Sequence, residues 1–323
     1  MMNFLQRGIF FILFGVIISG NIISQNTIAD SLYKQYFKSS TVADKFINCK
    51  TAVSALCNLR DSKRVYQIIA DLEKLGVESS KTKYKKGIVL LSKSIITRAI
   101  DSITASSLYA QQAIPLLIDD KVQMSEAQCM LVMNYNIKGQ HDSCILAGNR
   151  YLLDAKRYGN ITGQLEILIV MANSYDVKGN RKKGIEILLN AAEIAKAHNR
   201  NNKLSEIYVS LSSAYKQENI VLAKKYALLS LKVLSGVESY VGKLAYNSVY
   251  LILGNVYYDL QVLDIAKYYY NLCKESAQKT NDKRMFLAAI GNIGNIAIDQ
   301  KDFNVALVCN NITLQEYKKL GIP

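Results

Sequence analysis

Apolar residues recur at helical spacing along most of this chain. Four segments of the first third show it most clearly: IADSLYKQYF at 28–37, ADKFINCKTAVSALCNL at 43–59, RVYQIIADLEKLG at 64–76 and KGIVLLSKSIITRAI at 86–100. Apolar residues three and four positions apart share one face of a helix, so each segment predicts an amphipathic helix. Terminal repeats of an array are commonly atypical, and we expect residues 25–119 to form two or three divergent helical hairpins.

From residue 120 onward the pattern becomes a repeat. Tyrosines stand at 135, 175, 215 and 257, at steps of 40, 40 and 42 residues, and Ala297 continues the series 40 residues later. Three positions before each of these lies a mostly small residue: Val132, Ala172, Ser212, Gly254 and Gly294. Eight or nine positions after them lies a second mostly small column: Cys144, Gly184, Ala223, Ala266 and Ala306. A polar turn such as Lys178-Gly179-Asn180 separates the two columns.

The two small columns have a specific physical meaning. Antiparallel helices approach closely where small residues face each other at the crossing of their axes. Neither helix of such a pair can bury its apolar stripe alone, so each pair must stack on the next. The sequence therefore predicts an all-α protein, an α-solenoid of antiparallel helical hairpins, with five repeats over residues 120–323 in one continuous array.

These columns resemble the tetratricopeptide repeat, which has an apolar-Gly pair, a Tyr three residues on, a Gly at the turn and then an Ala. The match covers about Met124 to Leu320, with a period of 40 residues in place of the usual 34. It departs from the family pattern at Ala297 and at Tyr151, where the family has a small residue. The resemblance implies a right-handed solenoid whose first helices line a concave binding face.

The first 24 residues have the layout of a secretory signal peptide. One basic residue, Arg7, precedes a 13-residue apolar run, GIFFILFGVIISG at 8–20, and Ser24 is an acceptable residue before a cleavage site. The run is short for a membrane span, which needs about 20 apolar residues. We expect export to the periplasm, and an uncleaved N-terminal anchor is the alternative.

Charge and reactive residues do not predict an enzyme. Lys and Arg total 40 against 26 acidic residues, a net charge of +14, but the basic residues are scattered and accompany no nucleic-acid-binding motif. The six cysteines form no CxxC pair, and we expect buried free thiols. His141 and His198 are the only histidines, and no nucleophile or phosphate-loop motif is present. We predict no catalytic site, no metal, no cofactor and no nucleic-acid partner.

Candidate binding residues occupy three columns of the repeat. Two positions before the anchor, which point into the groove in the family that the chain resembles, stand Asn173, Asn255 and Asn295. Nine positions before it stand Glu166 and Glu206, and one position after it stand Lys216 and Tyr258. Side-chain amides both donate and accept, so stacked asparagines could hold the backbone of an extended peptide. The alternative is that they bridge neighbouring hairpins and that the glutamates are ordinary exposed helix residues.

Two functional hypotheses follow. The first is an exported, non-enzymatic scaffold that binds a protein or peptide on its concave face. The second rests on a resemblance of 40-residue repeats behind a signal peptide to the periplasmic sensor part of Bacteroidetes-type regulators, of which this chain would be a truncated or stand-alone version. A last repeat without a polar capping helix would also favour a homodimer through that repeat.

Overall fold

Helices follow one another along the described part of the chain. The structure, a computed structural model, describes residues 29–58, 61–78, 83–100, 102–235 and 240–320. These ranges hold fifteen α-helices, one short 3-10 helix and no β-strand. The helices are α1 (29–38), α2 (Val42–Asn58), α3 (Ser62–Glu78), α4 (Lys83–Ala99), α5 (Ile103–Ala113, followed by the 3-10 helix Ile114–Leu116), α6 (Lys121–Ile137), α7 (His141–Arg157), α8 (Ile161–Val177), α9 (Arg181–Ala197), α10 (Asn201–Tyr215), α11 (Ile220–Leu234), α12 (Tyr240–Asp259), α13 (Leu263–Thr280), α14 (Lys283–Asp299) and α15 (Phe303–Leu320).

Successive helices pair as antiparallel hairpins that stack into a right-handed solenoid. Each even-numbered helix from α2 to α14 packs against the odd-numbered helix that follows it, and also against the even-numbered helices of the neighbouring hairpins. Within the described ranges no second helix of a hairpin packs comparably against another second helix. Because the first helices are the ones in mutual contact, they lie on the inner, concave side of the curve.

Small residues allow the two helices of a hairpin to touch. An ideal Cβ on Gly184 of α9 would lie 2.8 Å from the backbone oxygen of Ala172 in α8, so only glycine fits there. One hairpin later the Ser212 hydroxyl donates a hydrogen bond of 2.8 Å to the carbonyl of Ala223. The members of both small columns are buried, which confirms their predicted place at the helix crossings.

The repeated tyrosines join one hairpin core to the next. Tyr135, Tyr215 and Tyr257 each pack against two successive clusters of buried apolar residues. Tyr215 also stacks on Tyr226 with ring centroids 5.6 Å apart, and Tyr257 stacks on Tyr269 at 5.7 Å. The anchor positions thus have related environments, as the repeat predicts. Ala297, where the series loses its tyrosine, is buried.

Cap residues begin many helices of the regular array, both first and second helices of the hairpins. The side chains of Asp120, Asn160, Asn180, Asn219 and Asp282 each accept a hydrogen bond from the backbone N–H three residues on. Such a bond satisfies one of the free donors of a helix start. The turns before the helices contain residues with positive φ, at Gly139, Gly159, Gly179, Asn199, Gln261, Asn281 and Lys301.

The cysteines of the described residues lie in the helix cores. Cys49, Cys129, Cys144, Cys273 and Cys309 are buried free thiols, as predicted. The predicted signal peptide, residues 1–24, lies outside the described residues. Among the helices that are described, none combines the length and the apolar character needed to cross a bilayer.

Candidate functional site

The inner face is the surface formed by the first helices α4, α6, α8, α10, α12 and α14. The repeat places one position of every hairpin at the same height on this face, so polar side chains of neighbouring helices come within reach of one another. The three predicted columns all lie on these helices or at their ends.

Glu166 and Glu206 are brought together by a lysine. Lys203 Nζ lies 3.3 Å from Glu166 Oε1 and 2.9 Å from Glu206 Oε2, linking α8 to α10. Burial alone would lower the pKa of Lys203, but the two carboxylates outweigh it and hold that pKa above its ordinary value. Glu206 keeps half of its side chain exposed, whereas Glu166 keeps a quarter.

A thiol lies beneath the same carboxylate. The buried Cys129 of α6 donates a hydrogen bond of 3.3 Å to Glu166 Oε2. Burial first, and the charge of Glu166 second, raise the pKa of this thiol well above its usual range. Since the thiolate is the reactive form of cysteine, Cys129 is held as an unreactive thiol.

An arginine stands at the α4 end of this cluster. The half-buried Arg98 donates to the sulfur atoms of Met133 and Met130 of α6, at 3.3 and 3.8 Å. Burial lowers its pKa, and the charge of Glu166 partly offsets that effect.

The three predicted asparagines have different surroundings. Asn173 is exposed, and its side-chain oxygen accepts a hydrogen bond of 2.9 Å from Asn136 of the preceding hairpin. The oxygen of Asn255 accepts two bonds, from the Tyr270 hydroxyl at 2.9 Å and from the Asn292 amide at 3.0 Å. Asn295 is exposed, and its side chain makes no hydrogen bond within the described part of the chain.

Lys216 and Tyr258 contact the next first helix. Lys216 Nζ lies 3.1 Å from a carboxylate oxygen of Asp259 at the end of α12. The Tyr258 hydroxyl donates a bond of 2.5 Å to Asp299 at the end of α14, and this bond, followed by burial, raises the pKa of Tyr258. Both predicted binding residues therefore also join neighbouring hairpins.

The columns alone did not identify Lys203 and Arg98. Lys203 lies one turn before Glu206, a helix spacing that could have pointed to it. Arg98 occupies in α4 the place that Asn136 occupies in α6, but it stands only 38 residues earlier, so extending the 40-residue period upstream would have reached Ile96 instead. The irregular sequence of residues 25–119 hid that register.

Comparison with known proteins identifies the fold. No family model and no curated protein matches this chain. Aspartyl phosphate phosphatase F from Bacillus subtilis has a similar structure, with a TM-score of 0.59, 11% identity, and coverage of 83% of this chain and 71% of that one. NprR in complex with its cognate peptide NprX gives a TM-score of 0.58 at 16% identity, covering 84% of this chain and 76% of the other.

A third similar structure includes a tetratricopeptide repeat sensor. It is the signal transduction ATPase with numerous domains and a tetratricopeptide repeat sensor from Pyrococcus horikoshii, with a TM-score of 0.58, 16% identity, and coverage of 90% of this chain and 46% of that one. At such identities the likeness establishes the fold and not the activity, since one fold serves many functions. The chain folds as a TPR-like helical solenoid.

Proposed function

We propose that this protein is a non-enzymatic scaffold that binds a protein or an extended peptide on the inner face of its solenoid. The observation that carries the proposal is the row of side-chain amides Asn173, Asn255 and Asn295 on the first helices. Such amides match the alternating donors and acceptors of an extended backbone. The complex of NprR with its cognate peptide supports the same use of this fold.

The charged part of the inner face supplies further contacts in this proposal. Glu206 is half exposed and can receive a cationic or N–H group of the ligand. Glu166, Lys216 and Tyr258 stand beside the groove with their intramolecular partners in place. The surface is therefore ordered before the ligand binds, and binding costs little conformational entropy of the protein.

The test uses the two exposed asparagines. Asn173→Ala with Asn295→Ala should leave helicity intact and weaken capture of a ligand from a periplasmic fraction about 30-fold, since the two lost hydrogen bonds are worth about 1 kcal/mol each. Captured molecules are identified by mass spectrometry. Asn149→Ala with Asn190→Ala removes two exposed amides from second helices and serves as the matched control. Equal capture by all three proteins would remove these amides from the site.

We also propose that the protein is exported, and a sensor role is the alternative to a stand-alone scaffold. The predicted signal peptide supports a periplasmic location, and N-terminal sequencing of the fractionated protein should find a start near residue 25. In the alternative, this chain is the sensor part of a signalling regulator, as the sensor of the Pyrococcus horikoshii protein is part of a larger chain. Reading the gene beyond the codon for Pro323 distinguishes a stand-alone scaffold from a regulator.

A homodimer through the last hairpin is also proposed. α15 exposes Phe303, Leu307 and Leu314 at more than half of their surface, and a second copy could cover them. Light scattering at high concentration should show a dimer that Leu307→Glu dissociates, with Lys301→Glu as the polar control. A strict monomer would exclude this interface.

A further inference from the structure

The second helices of the hairpins form the outer, convex face of the solenoid. On α9 three residues point outward: Glu186, Leu189 and Glu193. They lie about half a turn around the helix from Gly184, which touches α8. Leu189 is 38% exposed, and the side chains of the two glutamates are 70% and 72% exposed. These three residues form an acidic ridge along α9.

The corresponding residues of α11 carry the opposite charge. Ala223 takes the place of Gly184 at the helix crossing, and the same count from it gives Lys225, Leu228 and Lys232. Leu228 is 38% exposed, and both lysines are exposed. These three residues form a basic ridge, and a shallow hollow of about 440 Å³ runs along it.

The basic ridge lacks a counterion. α11 contains no acidic residue, and no carboxylate oxygen of a described residue lies within 4.0 Å of the ammonium group of Lys225 or Lys232. The carboxylates of the acidic ridge pair with Lys183 and Lys196, each three residues away on α9. Both pairs are exposed and use only the oxygen Oε1, and exposed pairs contribute little free energy. These carboxylates can therefore bind a further cation.

The two ridges complement each other under a two-fold axis. α9 and α11 are both second helices and run in the same direction. An axis that lies between them and parallel to them places α9 of one copy along α11 of the other, in the same direction. Each residue of the acidic ridge then faces the residue of the basic ridge at the same height: Glu186 with Lys225, Leu189 with Leu228, and Glu193 with Lys232. Symmetry repeats every contact, which gives four ion pairs and two leucine pairs.

Other occupants match these ridges less well. A two-fold axis across the helices would place α9 on α9 and bring carboxylates together. A flat anionic membrane would attract the basic ridge and repel the acidic ridge beside it. A second copy of this chain satisfies both ridges at once.

We propose that the outer face of α9 and α11 binds a second copy of this chain through these two ridges. The contact is separate from α15 and from the inner face, which stays open to a ligand. Because the outer face is convex, the contact is confined to a few helices, and interfaces of small area hold transient complexes. The dimer therefore forms at high protein concentration, and salt weakens it because its ion pairs are exposed.

Sedimentation equilibrium of the full chain tests the proposal. The starting protein is Leu307→Glu, in which a contact through α15 is abolished. We expect a monomer–dimer equilibrium at about 100 μM protein in about 0.01 M salt, and a dimer at least about tenfold weaker in about 0.5 M salt. A monomer in both solutions overturns the inference.

Charge reversal tests the pairing of the ridges. Glu186→Lys with Glu193→Lys makes both ridges basic, and Lys225→Glu with Lys232→Glu makes both acidic. Each double variant should weaken the dimer at least about 30-fold, because four exposed ion pairs become repulsive contacts. The quadruple variant exchanges the charges of the ridges, keeps the net charge and should restore the dimer. A double variant that still dimerises, or a quadruple variant that stays monomeric with unchanged circular dichroism, overturns the inference.

Cross-linking tests the geometry independently. Leu189→Cys and Leu228→Cys are prepared as separate proteins and then mixed. Oxidation should give a disulfide-linked dimer in the mixture and little in either protein alone, because the axis places Leu189 opposite Leu228. The starting protein, whose described cysteines are buried, is the control for other disulfides. Equal linking with and without mixing, or no linking in the mixture, overturns this arrangement.

Vesicles that contain phosphatidylglycerol separate a second copy from a membrane. A monomeric starting protein that binds such vesicles, and loses this binding on Lys225→Glu with Lys232→Glu, would assign the basic ridge to a membrane and overturn the inference. Capture of a ligand by the inner face is measured separately, so none of these outcomes decides the proposed scaffold function.

Discussion

Gly254 shows how one missing side chain shapes a hairpin. The Tyr270 ring of α13 lies where a Cβ on Gly254 would stand, with its Cε1 and Cδ1 atoms 2.3 and 2.4 Å from that point. The ring is buried, and its hydroxyl is tied to Asn255. Gly291, in the next first helix, has open space around its ideal Cβ. The two glycines look alike in the sequence and differ in what they contact.

Gly254→Ala should therefore lower the free energy of unfolding by about 2 kcal/mol, because the ring must move in a close-packed core. Gly291→Ala should instead raise it by about 0.5–1 kcal/mol, since alanine loses less backbone entropy within a helix. Urea unfolding of both variants checks the pair. Equal effects would contradict the packing described for Tyr270.

The buried thiol of Cys273 should make the folded protein less stable at alkaline pH. Burial, with a smaller effect of Asp282, raises the pKa of this thiol to about 12 in the folded protein. The unfolded chain loses the thiol proton near pH 9 and the folded chain keeps it, so stability falls as the pH rises between these values. The loss approaches about 1.4 kcal/mol per pH unit for one such group.

Cys273→Ser has no thiol to ionise and keeps a hydroxyl for the carbonyl of Asn247. We expect unfolding free energies measured from pH 7.5 to pH 10 to decline more steeply in the wild type than in this variant. All other titrating groups are shared, so the difference in slope isolates the thiol. Parallel declines would refute the assigned pKa.

At the scale of the helix element, the turns between helices repeat more regularly than the tyrosine column of the sequence indicated. Residues with positive φ stand at 139, 159, 179 and 199, and again at 261, 281 and 301, each 20 residues after the last. The first three are glycines, whereas Gln261 and Lys301 adopt the same conformation with a side chain. A left-handed residue with a Cβ costs about 1–2 kcal/mol.

Gln261→Gly and Lys301→Gly should therefore each raise the free energy of unfolding by about 1 kcal/mol. Gln300, with a φ of −83°, is the adjacent control, and Gln300→Gly should lower it by about 0.5–1 kcal/mol. Thermal unfolding of the three single variants checks this ordering. A stabilising Gln300→Gly would show that turn strain is not the cause.

Hairpins were predictable from the sequence because their packing is local. The small columns specify where two consecutive helices cross. Ala223 comes one residue early in its column because α10 is shorter: it ends at its anchor Tyr215, whereas α6 and α8 continue two residues beyond their anchors. The partners of the inner-face residues were not predictable. Asp259 and Asp299 reach Lys216 and Tyr258 from a neighbouring hairpin, and no column states that pairing.

At the scale of the whole molecule, the helices that the structure describes pack mainly within their own hairpin and against the adjacent hairpins. Buried clusters follow one another along the chain without one shared centre. A local defect in such an array acts mainly on its neighbours. We therefore expect the local stability of this protein to differ from one hairpin to another along the array.

Gly184→Ala places a methyl group against the backbone oxygen of Ala172. We expect hydrogen exchange to accelerate across α8 to α11 and to stay unchanged in α14 and α15. Exchange measured by mass spectrometry on peptic fragments tests this, with Gly291→Ala as a variant that should protect α14. Uniform acceleration over all helices would indicate one cooperative unit.

The bridges of the inner face have a consequence for how this surface can change. Asn136, Lys216, Tyr258 and Asn292 each hold a side chain of another first helix. The same atoms thus serve as joints of the superhelix and as the lining of its groove. A substitution that alters ligand preference at these positions also alters the rise from one hairpin to the next. Asn295 makes no such bridge within the described residues, so a change there can alter ligand preference without altering that rise.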